Sequence, residues 1–142
     1  MGRFGKRLVV VLALVAAAAC SDHKFEPPDR NVVIGKADRS FASLRFDTLT
    51  WASDSLRLLE GSVVYSASCR NCHGTLGQGG TDYAAQRDLD VPSLVDPDWR
   101  WADQPDSVRH RIWAGHIEGM PTWGISGMTT REVDAVTHYV LD

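Results

Sequence analysis

The chain has 142 residues, 44% hydrophobic and 23% charged, which suits one globular domain and little else. Its 15 basic and 18 acidic residues leave a net charge of −3, with no basic stripe to offer a nucleic acid. Of the cysteines Cys20, Cys69 and Cys72, two share one short motif, so no pair is left for a disulfide.

Residues 1–19 read as an export signal. Arg3, Lys6 and Arg7 form a positive start, and Leu8 to Ala19 is an unbroken apolar run of 12 residues. That run is too short to span a bilayer and fits a signal core. Ala17-Ala18-Ala19 then lead into Cys20. This resembles the lipobox of bacterial lipoproteins, in which the Cys is acylated; Ala17 stands where that family usually has Leu. The other reading is an ordinary A-x-A cleavage site with Cys20 left as a free thiol. Without Arg3, Lys6 and Arg7 the remaining chain has 12 basic residues against 18 acidic, a net of −6.

Residues 20–53 are expected to be a lipid-anchored tether. Pro27-Pro28 and the polar Ser21–Lys24 stretch give no periodicity, while Leu44, Phe46, Leu49 and Trp51 are apolar at irregular spacing. Those side chains suit a collar packed on the chain's own domain or, less simply, on a partner subunit. The folded domain is placed at 54–142. Ser53 or Asp54 caps a helix in which Leu56, Leu59 and Val63 recur at helical spacing. Gly61 weakens such a helix by about 1 kcal/mol, so it marks close approach of another backbone or ring.

This helix runs into Cys69-Arg70-Asn71-Cys72-His73, a C-x-x-C-H motif. Positions i, i+3 and i+4 share one helical face, so both thiols can add to the two vinyl groups of one porphyrin. The imidazole then stands under the iron as its proximal ligand. This is the attachment signature of one covalent haem c. A thioredoxin-like dithiol and half a zinc site are the competing readings; the adjacent His opposes the first and the missing second Cys pair the second. Gly74, Gly77, Gly79 and Gly80 lack the preceding strand and the G-K-[ST] ending of a phosphate loop, and read as a turn around the haem edge.

Further on, the Pro92 carbonyl is a candidate acceptor for the second ring nitrogen of His73, a simple turn proline being the alternative. Trp99, Arg100 and Trp101 offer indole and guanidinium donors for haem propionates. Pro105 opens a short helix with Val108 and Ile112 on one face and Gly115 past its end. Four side chains compete for the sixth iron position: Met120, Met128, His110 and His116. Thr129-Thr130-Arg131-Glu132 is a capping box, which explains Met128 as the residue before a helix cap. His110 lies in the short helix. Met120, in a Gly-flanked, Pro-stiffened loop, is the favoured ligand, and His116 is its rival. The last helix runs from Thr130 to about Leu141, with Val133, Val136 and Val140 on one face.

Residues 55–142 resemble class I c-type cytochromes. The matching pieces are Gly61, Tyr65, Cys69–His73, Gly74, Val91–Leu94, Met120-Pro121 and a final helix bearing Tyr139. The resemblance implies an all-α fold wrapped round one haem, with first and last helices crossing at Gly61 and with Tyr65 and Tyr139 nearby. It implies His73 and Met120 as axial iron ligands and the Pro92 carbonyl on His73. The glycine loop and the Ile112-to-Pro121 stretch look most like cytochrome subunits of bacterial terminal oxidases. The lysine ring of many soluble carriers is missing: only Lys24 and Lys36 follow the signal. The role read from this is one-electron transfer among redox partners of a respiratory chain by a lipid-anchored carrier on the periplasmic side of a bacterial membrane, the alternative being a fixed electron-entry subunit of a quinol-oxidising or oxygen-reducing complex. A haem enzyme or gas sensor with an open sixth position is the third reading.

Overall fold

A computed structural model describes residues 24–142, and all regular structure among them is helical. Cys20 and the signal-like segment lie outside the described residues. The helices are α1 (Arg30–Ser40), α2 (Leu44–Asp47), α3 (Asp54–Ser68), α4 (Arg70–His73), α5 (Asp82–Ala85), α6 (Pro105–Ala114) and α7 (Thr130–Leu141). No helix among the described residues is long and apolar enough to cross a membrane.

Local sequence chemistry sets the helix ends. Ser53 Oγ accepts the Leu56 amide to start α3. Pro105 sits in the first turn of α6, and Gly115, at φ 74°, ends it in a backbone region that side-chain-bearing residues avoid. At α7, Thr129 accepts the Glu132 amide while the Glu132 carboxylate accepts the Thr129 amide, the reciprocal capping box.

The core forms where α3 meets α7, with α6 against α7 beside it. Val133, Ala135 and Val136 are fully buried, alongside Val64, Tyr65, Val108 and Ile112. Each large apolar side chain buried there is worth about 1.5–3 kcal/mol. Gly61 makes the crossing feasible: a Cβ at this position would run into the Ala135 carbonyl and come within 2.7 Å of Tyr139 Cβ. The Tyr65 and Tyr139 rings lie beside the crossing, centroids 5.3 Å apart.

This close approach also decides which face of α3 is buried. The helical stripe Leu56, Leu59 and Val63 points outward, at 52%, 60% and 62% exposure. Gly61, Val64 and Tyr65 face inward instead. Backbone-to-backbone contact at Gly61 fixes the rotation of α3, and the apolar period follows from what is left over.

The stretch expected to be tether is helical and docked from Arg30 onward. Asp29 caps α1, accepting the Asn31 amide at 2.8 Å and the Val32 amide at 3.3 Å. Ala37 and Phe46 are buried. Trp113 Nε1 donates to Ser40 Oγ at 2.9 Å, and His110 pairs with Asp38 at 2.7 Å, so α1 lies along α6. Downstream, Trp51 Nε1 donates to Asp134 Oδ2 at 2.8 Å. Asp134, only 2% exposed, also receives Arg57 at 2.8 Å and Arg109 at 2.7 Å. One buried carboxylate thus joins the segment before α3, α3 itself, α6 and α7.

Candidate functional site

The C-x-x-C-H segment is fastened on several sides. The Tyr65 hydroxyl donates to the Gly74 carbonyl at 2.8 Å, and Thr81 Oγ1 donates to the Asn71 carbonyl at 2.7 Å. The Gly79 amide donates back to the His73 carbonyl at 2.8 Å. The glycine loop braces the 91–94 segment: Leu94 N donates to Gly77 O at 2.7 Å, and a Cβ on Gly79 would sit 2.6 Å from the Val91 carbonyl. The loop therefore backs the Val91–Leu94 segment and does not itself line the cavity.

Cys69, Cys72, His73, Pro92 and Met120 all line one cavity of about 490 Å³. Protein interiors contain few voids larger than a water molecule, and ~300–1,000 Å³ is the range of cofactor and ligand sites. Val136 and Val140 of α7 and Leu94 supply apolar wall. Trp99, Arg100, Trp101 and Arg111 lie along another part of it, with the Arg100 guanidinium 4.3 Å over the Trp101 ring.

His73 Nδ1 is buried without a hydrogen-bond partner. Burial lowers the pKa of this imidazole, and the nearby Pro92 carbonyl acts in the opposite direction. A neutral imidazole is the form that ligates a metal. The Cys69 thiol is pushed up to about 12, by burial and then by the neighbouring Cys72. A thioredoxin-like dithiol is favoured by the opposite shift, toward the thiolate, so the direction at Cys69 counts against that reading. Among the described residues no three His, Cys, Asp or Glu side chains converge on a metal position, so Cys69 and Cys72 lack the partners of a zinc site. Two unpaired thiols, a buried imidazole with an unsatisfied nitrogen and a large apolar cavity together fit a covalently held haem.

The four rivals for the sixth position separate by location. His110 points away to Asp38, its ring edge-on to Phe41 at 4.8 Å. Met128 packs against the core and a smaller groove beside Val63. Met120 and His116 both line the large cavity. His116 Nδ1 lies 3.1 Å from Glu118. They occupy the two ends of one turn, closed by His116 N donating to Met120 O at 3.0 Å. Arg111 is a wall residue that the sequence reading passed over; it falls one helical turn before Gly115, on the cavity side of α6.

Comparison with known proteins agrees with this geometry. Residues 57–140 match the family model described as cytochrome c oxidase, cbb3-type, subunit III, more than half of the chain. The cbb3-type cytochrome c oxidase subunit FixP of Azorhizobium caulinodans is 26% identical over 110 residues, covering 76% of this chain and 35% of the relative. Subunit CcoP of Cereibacter sphaeroides is 26% identical over 91 residues, covering 57% of this chain and 29% of the relative. The chain spans about a third of the length of these relatives. No solved structure matches it. With its helical fold and the shared site region, this chain belongs to the cbb3-type subunit III family of cytochromes c, whose cofactor is a covalently bound haem c.

Proposed function

We propose that this protein passes one electron at a time as a membrane-bound cytochrome c of a respiratory chain, seated as a fixed subunit through which electrons reach an oxygen-reducing complex. The observation that carries the reading is the convergence of both thiols, His73 and Met120 on one cavity. Cys69 and Cys72 would hold the haem covalently, and His73 and Met120 would supply its iron ligands. The Pro92 carbonyl beside His73 would accept from the ring nitrogen turned away from the iron, and Arg100 and Arg111 would offer guanidinium donors to the propionates. Haem c, when bound, supplies reversible one-electron chemistry at its iron. The chain's own contribution is to exclude water, fix both ligands and set the potential; no substrate bond is made or broken.

The docked collar favours the fixed subunit over a mobile carrier. With α1 and α2 held on the domain, little of residues 20–53 is left as a flexible reach. The relatives, both subunits of cbb3-type cytochrome c oxidases, support the same kind of complex. Export to the periplasmic side and acylation of Cys20 complete the proposal. One acyl chain binds a membrane marginally, whereas a multiply acylated Cys anchors stably. Cys20→Ala is expected to release a soluble, haem-loaded protein; a wild type already soluble in the extracytoplasmic fraction would remove the anchor from the proposal.

A reduced-minus-oxidised spectrum, with and without carbon monoxide, tests the central claim. A low-spin c-type spectrum unmoved by carbon monoxide is expected. Ready binding at neutral pH would mean an open sixth position and an enzyme or sensor. Capture under mild detergent then separates subunit from carrier: co-purification with an oxidase supports the first.

A further inference from the structure

The strut that holds the Met120 turn comes from outside the family-matched residues 57–140. Arg30, in the first turn of α1, reaches across the chain to two carbonyls. Its Nε and Nη2 donate to His116 O at 3.0 and 2.7 Å, and Nη2 also donates to Met120 O at 2.6 Å. These are the two ends of the turn that carries both cavity-lining candidates for the sixth position. The planar guanidinium suits this task, because one rigid group spans two acceptors that a lysine ammonium reaches only singly.

The strut closes a ring. The turn follows directly from α6 at Gly115, where a Cβ would sit 2.6 Å from Met120 O and 2.7 Å from Pro121 O. α1 is fixed to the same α6 further along, through Asp38–His110 and Ser40–Trp113. The path α6, turn, Arg30, α1 and back to α6 leaves the turn little freedom to pull away. Without Arg30 the only other donor to Met120 O among these contacts is the His116 amide.

We propose that Arg30 is a positioning residue for Met120. It holds the carbonyls of His116 and Met120, and with them the turn that presents the Met120 thioether to the cavity. The N-terminal helix thereby sets ligation at the sixth position, which rests on the reading of Met120 as that ligand.

The test compares full-length, haem-loaded wild type with Arg30→Ala, Arg30→Lys, Ser40→Ala and Met120→Ala. The readouts are the far-red sulfur-to-ferric-iron band and the rate of carbon monoxide binding to the ferrous protein. Arg30→Ala is expected to weaken the band and speed binding by about tenfold or more, since all three charge-assisted hydrogen bonds to the turn are lost. Arg30→Lys should fall between it and the wild type. Ser40→Ala removes one of the two ties of α1 to α6 and leaves Asp38–His110 and Arg30 in place, so it should lower the melting temperature and change band and binding much less than Arg30→Ala does. Wild-type behaviour in Arg30→Ala, with Met120→Ala freely binding carbon monoxide, would overturn the role of Arg30 and leave Met120 as ligand. Equal opening in Ser40→Ala would assign the effect to collar docking as a whole and overturn it too. A Met120→Ala protein indistinguishable from wild type would remove the underlying ligand assignment, and the proposal with it.

Discussion

The two candidate iron ligands reach the same cavity by different routes. His73 sits in a segment held by neighbours in sequence: Tyr65 bonds the Gly74 carbonyl and Thr81 the Asn71 carbonyl, nine and ten positions apart, and Gly79 returns to His73 itself. Met120 sits in a short turn whose outside support comes from Arg30, 90 positions away. Local ties form with little loop-closure cost and survive loss of any one. A distant strut depends on docking of a whole helix. The proximal, His73 side therefore has several independent local ties, whereas the distal, Met120 side leans on one long-range contact.

Removing the covalent links is the largest expected disruption. Cys69→Ala with Cys72→Ala should abolish haem staining of the denatured polypeptide altogether. Persistence of covalent haem in the double variant would place attachment elsewhere and break the proximal half of the comparison.

Met120→Ala should break the distal half alone. Haem stays attached, the far-red band is lost, and the reduction potential falls, because a thioether favours ferrous over ferric iron. Carbon monoxide should then bind the ferrous protein. His116, at the other end of the turn, can fill the vacancy, so Met120→Ala with His116→Ala should bind carbon monoxide more readily than the single variant.

How far the sequence foretold this arrangement follows the same division. The C-x-x-C-H motif, the capping box of α7, the Pro105 and Gly115 ends of α6 and the reason for Gly61 were all readable, because each depends on residues within a turn or two or on one tight contact. Leu56, Leu59 and Val63 have a helical period yet face outward, since Gly61 fixes the rotation of α3. The collar gave no amphipathic signal because α1 docks through polar side chains, Asp38, Ser40 and Arg30, onto α6 and the turn. Asp134, flanked by Val133 and Ala135, gives no sign in the sequence that Arg57, Arg109 and Trp51 converge on it.

That convergence frames both halves. Removing one partner from a buried ion pair typically costs about 3–5 kcal/mol. Asp134→Ala should lower the melting temperature strongly, leaving Arg57 without a carboxylate and Arg109 with Asp106 alone, while the far-red band persists at temperatures where the fold is intact. Gly61→Val should cost less, about 1–3 kcal/mol by overpacking against Ala135 and Tyr139, with covalent haem retained. A neutral or raised midpoint would mean that α3 and α7 separate easily there.

The smallest effect is expected from Tyr65→Phe, which removes one tie among several on the proximal side. The lost hydrogen bond to Gly74 is worth about 0.5–1.5 kcal/mol, and band and carbon monoxide behaviour should not change. Its signature lies at high pH. Burial, followed by the nearby Cys69 and Tyr139, pushes the Tyr65 hydroxyl up from 10.0 to about 12. The folded state thus keeps its proton where the unfolded chain loses it. This contribution is fully present below pH 10, is lost as pH rises toward about 12, and is then constant. The slope in that window is at most about 1.4 kcal/mol per pH unit. Thioether formation at Cys69 removes the second cause and leaves burial, the largest, in place. Wild-type stability should therefore fall more steeply than that of Tyr65→Phe between pH 10 and 12, measured by denaturant unfolding at fixed pH. Parallel profiles would show that Tyr65 ionises as freely in the folded protein as in the unfolded one, and that the proximal segment does not depend on its buried hydroxyl.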